Sequence, residues 1–176
     1  MSKMSTSATD PFIARLRAGD DSAWESFYDS ISGDLRGYLV RLGARDPDDL
    51  LGETMVHVVR DIGRFTGSGD ELRPWTFRIA RNRMIDASRR RQRRPVETIL
   101  DSDEVATGAS EPEPMSEDLA VLLSTLTPDQ REAVWLRYVV DLSLAEVASI
   151  MGKAPDAVAA LTHRALRRLR AALGQS

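Results

Sequence analysis

Nine arginines, one acid (Asp86) and no lysine lie between Arg73 and Arg94, in a chain of 176 residues whose formal net charge is −3. Guanidinium groups at this density are permanently charged fork donors, the chemistry that neutralises phosphates. Trp75, Phe77 and Asn82 are interleaved with them. An aromatic face can carry an unstacked base, and an amide offers a base edge both a donor and an acceptor. For Phe77 the competing role of closing the core is favoured; Asn82, between Arg81 and Arg83, is expected to be exposed. A helix with this many like charges repels itself, so its balance is expected to fall to a polyanionic partner rather than to the chain.

Two further sets of side chains carry charge with a pattern. Near the other end of the chain His163, Arg164, Arg167, Arg168 and Arg170 share a helical stretch with the single acid Asp156. Asp46, Asp49 and Glu53 fall at spacings of three and four, on one side of the first two turns of a helix opened by Pro47. Two readings of these acids stand side by side. One is complementarity to the helix macrodipole, worth about 0.3–1 kcal/mol each; the other is an acidic face for a partner.

Catalytic constellations are missing. There is no cysteine, no glycine-rich phosphate loop followed by lysine, no paired histidines and no nucleophile with a neighbouring base. His57 lies in the apolar run MVHVV, where a helix-face or core histidine is favoured over a metal ligand. No enzyme activity, cofactor, metal or small-molecule substrate is expected. No apolar run approaches the roughly 20 residues that span a bilayer, and the first residues lack the apolar core of a signal peptide, so a cytoplasmic protein without membrane insertion is expected.

Helices must position these groups, and the pattern is all-α. After a polar tail over residues 1–9, Asp10 caps a short helix with Pro11 first; a long amphipathic helix follows from Asp20 or Asp21, with Trp24, Phe27, Ile31, Leu35, Tyr38, Leu39 and Leu42 on one face. Gly33 and Gly37 weaken that helix without forbidding it. Asp46 caps the third, and the arginine-rich fourth runs from about Leu72 to Arg90, with Trp75 or Thr76, Ile79, Met84 or the stem of Arg83, and Ala87 facing inward. Residues 97–118 hold eight acids and no base, a flexible, self-repelling linker. Beyond it come a short helix with Leu119, Leu122, Leu123 and Leu126, a capping box at Thr127 and Gln130, and another at Ser143 and Glu146. Gly152 stops the short helix LAEVASIM, and Pro155 opens a last helix with Val158, Leu161 or Thr162, Ala165, Leu169 and Leu173 inward. The last two form a helix-turn-helix. Two small helical domains are expected, over residues 10–95 and 117–176, joined by the linker at 96–116.

The motifs DPDDLLGETMVHVVRDIGRF, RPWTFRIARNRMIDASRRRQRR and LTPDQREAVWLRYVVDLSLAEVASIMGKAPDAVAALTHRALRRLR, in that order, resemble regions 2.2, 2.3–2.4 and 4 of bacterial RNA polymerase sigma factors of the extracytoplasmic-function type, in the sigma-70 family. The resemblance implies a factor that binds core RNA polymerase, directs it to promoters and helps melt the −10 element. It places Asp46, Asp49 and Glu53 on the clamp helices of the polymerase β′ subunit. It puts Asn82 at a pocket for a flipped base of the −10 strand, with Trp75 and Arg78 nearby and Asp86, Arg89 and Arg90 further along the helix. For region 4 it implies contact with the β flap and reading of the −35 element by Lys153, Ala157, Ala160, His163, Arg164 and Arg167. The front of the last helix departs from the family's frequent Thr-Val-Lys-Ser-Arg run, carrying Ala157, Val158, Ala159, Ala160 and Leu161 instead. That shifts readout toward small apolar contacts and load toward His163, Arg164 and Arg167. The absence of a long extra carboxy-terminal domain points, within the resemblance, to control by a separate anti-sigma protein. The rival reading is a stand-alone helix-turn-helix regulator whose amino-terminal module serves oligomerisation or sensing.

Overall fold

A computed structural model of the chain describes residues 10–93, 123 and 125–173. Among these residues there are seven α-helices, one 3-10 turn and no strand. The linker at 96–116 and most of the short helix expected around Leu122 lie outside the described residues.

Each helix starts where a side chain satisfies its free N–H groups. In α1 (Pro11–Arg17) that side chain is Asp10, whose Oδ1 accepts from the Phe12 N–H at 2.9 Å. Helix α2 (Asp21–Arg41) is capped by Asp20, and Gly43, at φ 79°, takes the left-handed turn that ends it. Helix α3 (Pro47–Asp61) begins at Asp46, which accepts from the Asp49 N–H at 2.9 Å, and runs into a 3-10 turn over Ile62–Arg64. Helix α4 (Gly69–Arg93) is longer at both ends than the pattern of apolar residues suggests. Its early start has a local cause and a distant one. The Ser68 N–H and hydroxyl both donate to Glu71 Oε2, at 2.8 and 3.2 Å, and the Gly69 N–H donates to Asp10 Oδ2 at 2.8 Å. Asp10 therefore caps α1 with one oxygen and holds the start of α4 with the other. A β-carbon on Gly69 would stand 2.6 Å from that oxygen, so the approach requires glycine.

The second module repeats the logic. Helix α5 (Pro128–Tyr138) and helix α6 (Leu144–Met151) each open with a complete capping box, Thr127 with Gln130 and Ser143 with Glu146. Gly152 adopts φ 63° to stop α6, and three residues later Pro155 opens α7 (Pro155–Leu173). Val158, Thr162 and Ala165 are buried and Leu161 and Leu169 half-buried, whereas Leu173, expected inward, is 64% exposed at the end of the helix.

The buried side chains of the two modules form one continuous cluster. Tyr38 of α2 and Phe77 of α4, both fully buried, meet edge to face at 5.3 Å beside Ala133 and Leu136 of α5. At this seam a β-carbon on Gly37 would lie 3.1 Å from Cζ2 of Trp135, so the glycine that lowers the helix propensity of α2 is what admits the indole.

Candidate nucleic-acid interface

Helix α4 sorts its charged residues by face. Trp75, Arg78, Asn82, Asp86 and Arg89 follow one another at three- and four-residue steps, and therefore lie along one stripe. Arg78, Asn82, Arg89 and Arg90 are exposed, Trp75 and Asp86 half-buried. The opposite side closes the core with Leu72, Thr76, Phe77, Ala80 and Met84, so Phe77 takes the core role favoured for it, while Trp75, Ile79 and Ala87 are half-buried. Trp75 leans on Phe65, ring centroids 4.9 Å apart at 41°, which fixes one edge of the indole and leaves part of it open. Asn82 makes no hydrogen bond among the described residues; its amide faces solvent.

The arginines do not act as one uniform surface. Arg73 is paired with Asp34 of α2 and donates to the Ser30 carbonyl at 3.2 Å. Arg81 is paired with Glu132 of α5 at 2.7 Å. Arg83 bonds Asp86 at 3.0 Å and meets His57 Nε2 of α3 at 3.2 Å. The chain thus supplies counter-ions to three of the arginines, which corrects the expectation that a partner alone must balance the run. Among the described residues the exposed arginines of α4 without an acidic partner are Arg78, Arg89, Arg90 and Arg91. Asp86 accepts from Arg83 through one carboxylate oxygen and from Arg90 through its backbone carbonyl at 3.4 Å, and its side chain stays partly exposed on the same stripe.

Burial gives the Arg81 contact unusual electrostatics. Glu132 Oε1 accepts from both Arg81 Nε and the Tyr38 hydroxyl, each at 2.7 Å, and Glu132 is 7% exposed. Desolvation, and then the charge of Glu132, push the Tyr38 phenol well above its ordinary pKa. For Arg81 desolvation is the largest single effect and lowers the pKa, but the bond to Glu132 and the charges of Glu132, Tyr38 and Asp129 together outweigh it and leave the guanidinium above its ordinary value.

The acids of α3 are exposed as a group. Asp49 and Glu53 point to solvent, and Asp46 spends one oxygen on the helix cap while staying exposed, so the capping reading and the free acidic face both hold, for different atoms. Further along the same helix Val56 and Val59 are 67% and 52% exposed. Helical spacing sets Val58 of the run MVHVV inward with Leu50, Leu51, Thr54, Met55 and Ile62, and assigns Val56 and Val59 no role; of the three valines only Val58 is buried. The acids also line a groove with Arg90 and Arg91 of α4.

On the helix-turn-helix, Ala157, Ala160, His163, Arg164 and Arg167 are exposed on α7, a face with small residues in front and cations behind. Lys153 in the turn is half-buried and pairs with Asp129 of α5 at 2.9 Å. Arg168 bonds Gln130 Oε1 at 3.1 Å and so belongs to the packing of the module. Among the described residues no group of histidines and acids has the arrangement of a metal site, and no helix is long and apolar enough to cross a membrane.

Comparison with known proteins accords with this division. Residues 23–94 match the family Sigma-70 region 2 and residues 116–169 match Sigma-70, region 4. The chain is 35% identical over 165 residues to the ECF RNA polymerase sigma factor BldN of Streptomyces coelicolor, covering 89% of this chain and 62% of that protein. It is 35% identical over 133 residues to the ECF RNA polymerase sigma factor ShbA of Streptomyces griseus, covering 70% of each. Among solved structures, CnrH in complex with the cytosolic domain of CnrY shares the fold at a TM-score of 0.65 and 22% identity, over 94% of this chain and 96% of that one. RpoE of Bartonella quintana, in complex with the anti-sigma factor NepR, does so at 0.64 and 24%, over 85% and 96%.

Proposed function

The chain belongs to the ECF RNA polymerase sigma factors, and from that premise we propose that it binds core RNA polymerase, brings it to a subset of promoters and helps separate the strands of the −10 element. The observation that carries the reading is the stripe on α4. An aromatic face at Trp75, a cation at Arg78 and an unbonded amide at Asn82 precede open arginines at 89 and 90. A duplex presents its bases stacked and paired, so a surface of this composition suits a strand whose bases have been splayed out. Extruding a base costs a few kcal/mol, offset by base-edge contacts and by phosphate neutralisation. Asp86 orients Arg83 with one carboxylate oxygen and offers the other as an acceptor to the strand.

Core polymerase docks on α3 through Asp46, Asp49 and Glu53, facing basic residues of the β′ clamp helices. Val56 and Val59 supply the apolar centre that an acidic patch alone lacks. The module at 117–176 meets the β flap and reads the −35 element. Ala157 and Ala160 there offer methyl-sized contacts, and His163, Arg164 and Arg167 meet phosphates. Lys153, tied to Asp129, positions the turn. The chemistry of RNA synthesis stays with the polymerase, and the protein works in the cytoplasm under a separate anti-sigma protein.

Run-off transcription with purified core enzyme tests the reading. Specific transcripts from a matched promoter only when the protein is added support it. DNA binding that is specific without core, and no core-dependent transcript, supports the stand-alone regulator instead.

A further inference from the structure

Arg83 is held between two helices by two different acceptors. One terminal amine donates to Asp86 Oδ2, three residues on in α4, at 3.0 Å, and the other lies 3.2 Å from His57 Nε2 on α3. A guanidinium can only donate, so Nε2 accepts, and the imidazole in this arrangement is neutral with its proton on Nδ1. His57 is half-buried where α3 packs on α4. The other charges around it are Glu53, one turn before it on α3, and Asp61, one turn after it and paired with Arg60. Arg64 of the 3-10 turn acts with His57 on Asp61. From α2 the charged contact with α3 is the pair Arg36 and Asp48, about 13 Å back along the axis of α3.

Asp86 keeps its second oxygen. Its side chain is 44% exposed, Oδ1 has no partner among the described residues, and the carboxylate shares an open cleft with Arg83, Arg89 and Arg90. The cleft lies one turn, about 6 Å, beyond Asn82 on the same stripe, where the next base of a strand would follow one held by the amide. What it offers a base edge is decided by Arg83. With both terminal amines engaged the arginine presents no free fork, so Oδ1 is the group that meets a base, and Arg89 and Arg90 suit the flanking phosphates. A carboxylate acceptor takes the exocyclic amine of cytosine, whereas adenine sets N7, a second acceptor, beside its own amine. A free arginine fork would instead take O6 and N7 of guanine.

We propose that His57 is a positioning residue for base choice: by holding Arg83 against α3 it leaves Asp86 as the acceptor of this cleft, which then selects cytosine in the −10 strand. The inference deepens the proposed function and rests on it for its ligand. It also makes the choice conditional. A histidine ring gains a proton between about pH 8 and pH 5. His57 then has no lone pair for Arg83, faces it as a like charge and turns to Glu53 or Asp61. Arg83 is freed into the cleft, and the subsite changes from acceptor to donor, from cytosine to guanine.

The test is selection by the full chain with purified core polymerase from single-stranded DNA oligonucleotides randomised across the −10 stretch. In mild alkali wild type should enrich cytosine at one position by about fivefold, the lower end of what a base-edge contact contributes. Asp86→Asn should lose the preference at that position alone. His57→Leu removes the acceptor and should move the preference to guanine at every pH; adding Arg83→Ala to it should bring cytosine back. His57→Gln gives Arg83 an amide oxygen that gains no proton, so it should keep cytosine from about pH 8 to about pH 6, while wild type drifts toward guanine. Loss of folding cannot exchange one base for another at one position, nor be reversed by a second substitution. The absence of a cytosine position in wild type, a cytosine preference untouched by Asp86→Asn, or a His57→Leu chain that selects as wild type does overturns the inference. If core polymerase selects the same pool with and without the chain, the sigma reading itself has failed, and this inference falls with it.

Discussion

Replacing Asn82 by alanine separates strand capture from everything else the protein does. The side chain is exposed and bonds nothing among the described residues, so its removal breaks no internal contact. Alanine is also the better helix former, which leaves α4 at least as stable. The expected loss is that of one base-edge contact, about 1–3 kcal/mol, or roughly 5- to 150-fold in the formation of open promoter. Core affinity should stay within the ~0.5 kcal/mol typical of a surface substitution. Permanganate reactivity of unpaired thymines at the −10 element reports opening, and titration of labelled protein with core reports docking. If opening is unaffected, the amide reads no base. If opening and core affinity fall together, the stripe on α4 faces polymerase rather than the strand, and its assignment is wrong.

The mirror-image perturbation lies on α3: Asp49→Lys with Glu53→Lys should weaken core binding by about 1–2 kcal/mol, five- to thirtyfold, and Val56→Glu should weaken it further, with little effect on binding of single-stranded DNA; a titration with core in which all three leave affinity unchanged refutes the docking face. Gly37→Ala has two opposed consequences, since it raises the helix propensity of α2 by about 1 kcal/mol while its new methyl presses on Trp135 at 3.1 Å. Spin labels at Ser26 and Arg170, exposed on opposite sides of the seam, should move apart while the midpoint of thermal unfolding holds or rises; a lower midpoint with unmoved labels contradicts the account of that glycine. Acid should loosen the junction of α1 and α4. The Gly69 and then the Phe12 N–H hold the Asp10 carboxyl below its ordinary pKa. The stabilisation is therefore complete above about pH 4 and lost as pH falls through the lowered value. The protection of the Gly69 amide, its exchange rate relative to that of an unstructured amide at the same pH, should fall over that range in wild type, and equal protection at pH 2 speaks against the contact.

The helices were legible because their signals are local. A cap, a proline at the first helical position and a left-handed glycine at the end act within a few residues, so α1, α3, α5 and α6 begin at the side chains the sequence offers: Asp10, Asp46, Thr127 and Ser143. The start of α4 has one local signal that the pattern of apolar residues overlooks, Ser68 with Glu71 three residues on, and one that no local window contains: the Gly69 N–H is held by Asp10, 59 residues away. In the run MVHVV the spacing sets Val58 inward, and it is buried with Leu50, Leu51 and Thr54. Apolar content alone says that a residue suits burial, not that another element arrives to bury it, and Val56 and Val59 stay exposed on the far side of α3.

The charge of the arginine run was legible and its division was not, and the division carries the functional argument. Helical periodicity already sets Trp75, Arg78 and Asn82 on one stripe, so the composition of that face follows from spacing. Which arginines remain open depends on acids that approach from elsewhere: Asp34 on α2 for Arg73 and Glu132 on α5 for Arg81. These two acids differ in a way that matters. Asp34 belongs to the same module as Arg73 and braces it from within, whereas Glu132 reaches Arg81 from the other module. Which guanidinium groups of α4 are left open therefore depends on how the two modules pack, and charge counted along the sequence cannot contain that dependence.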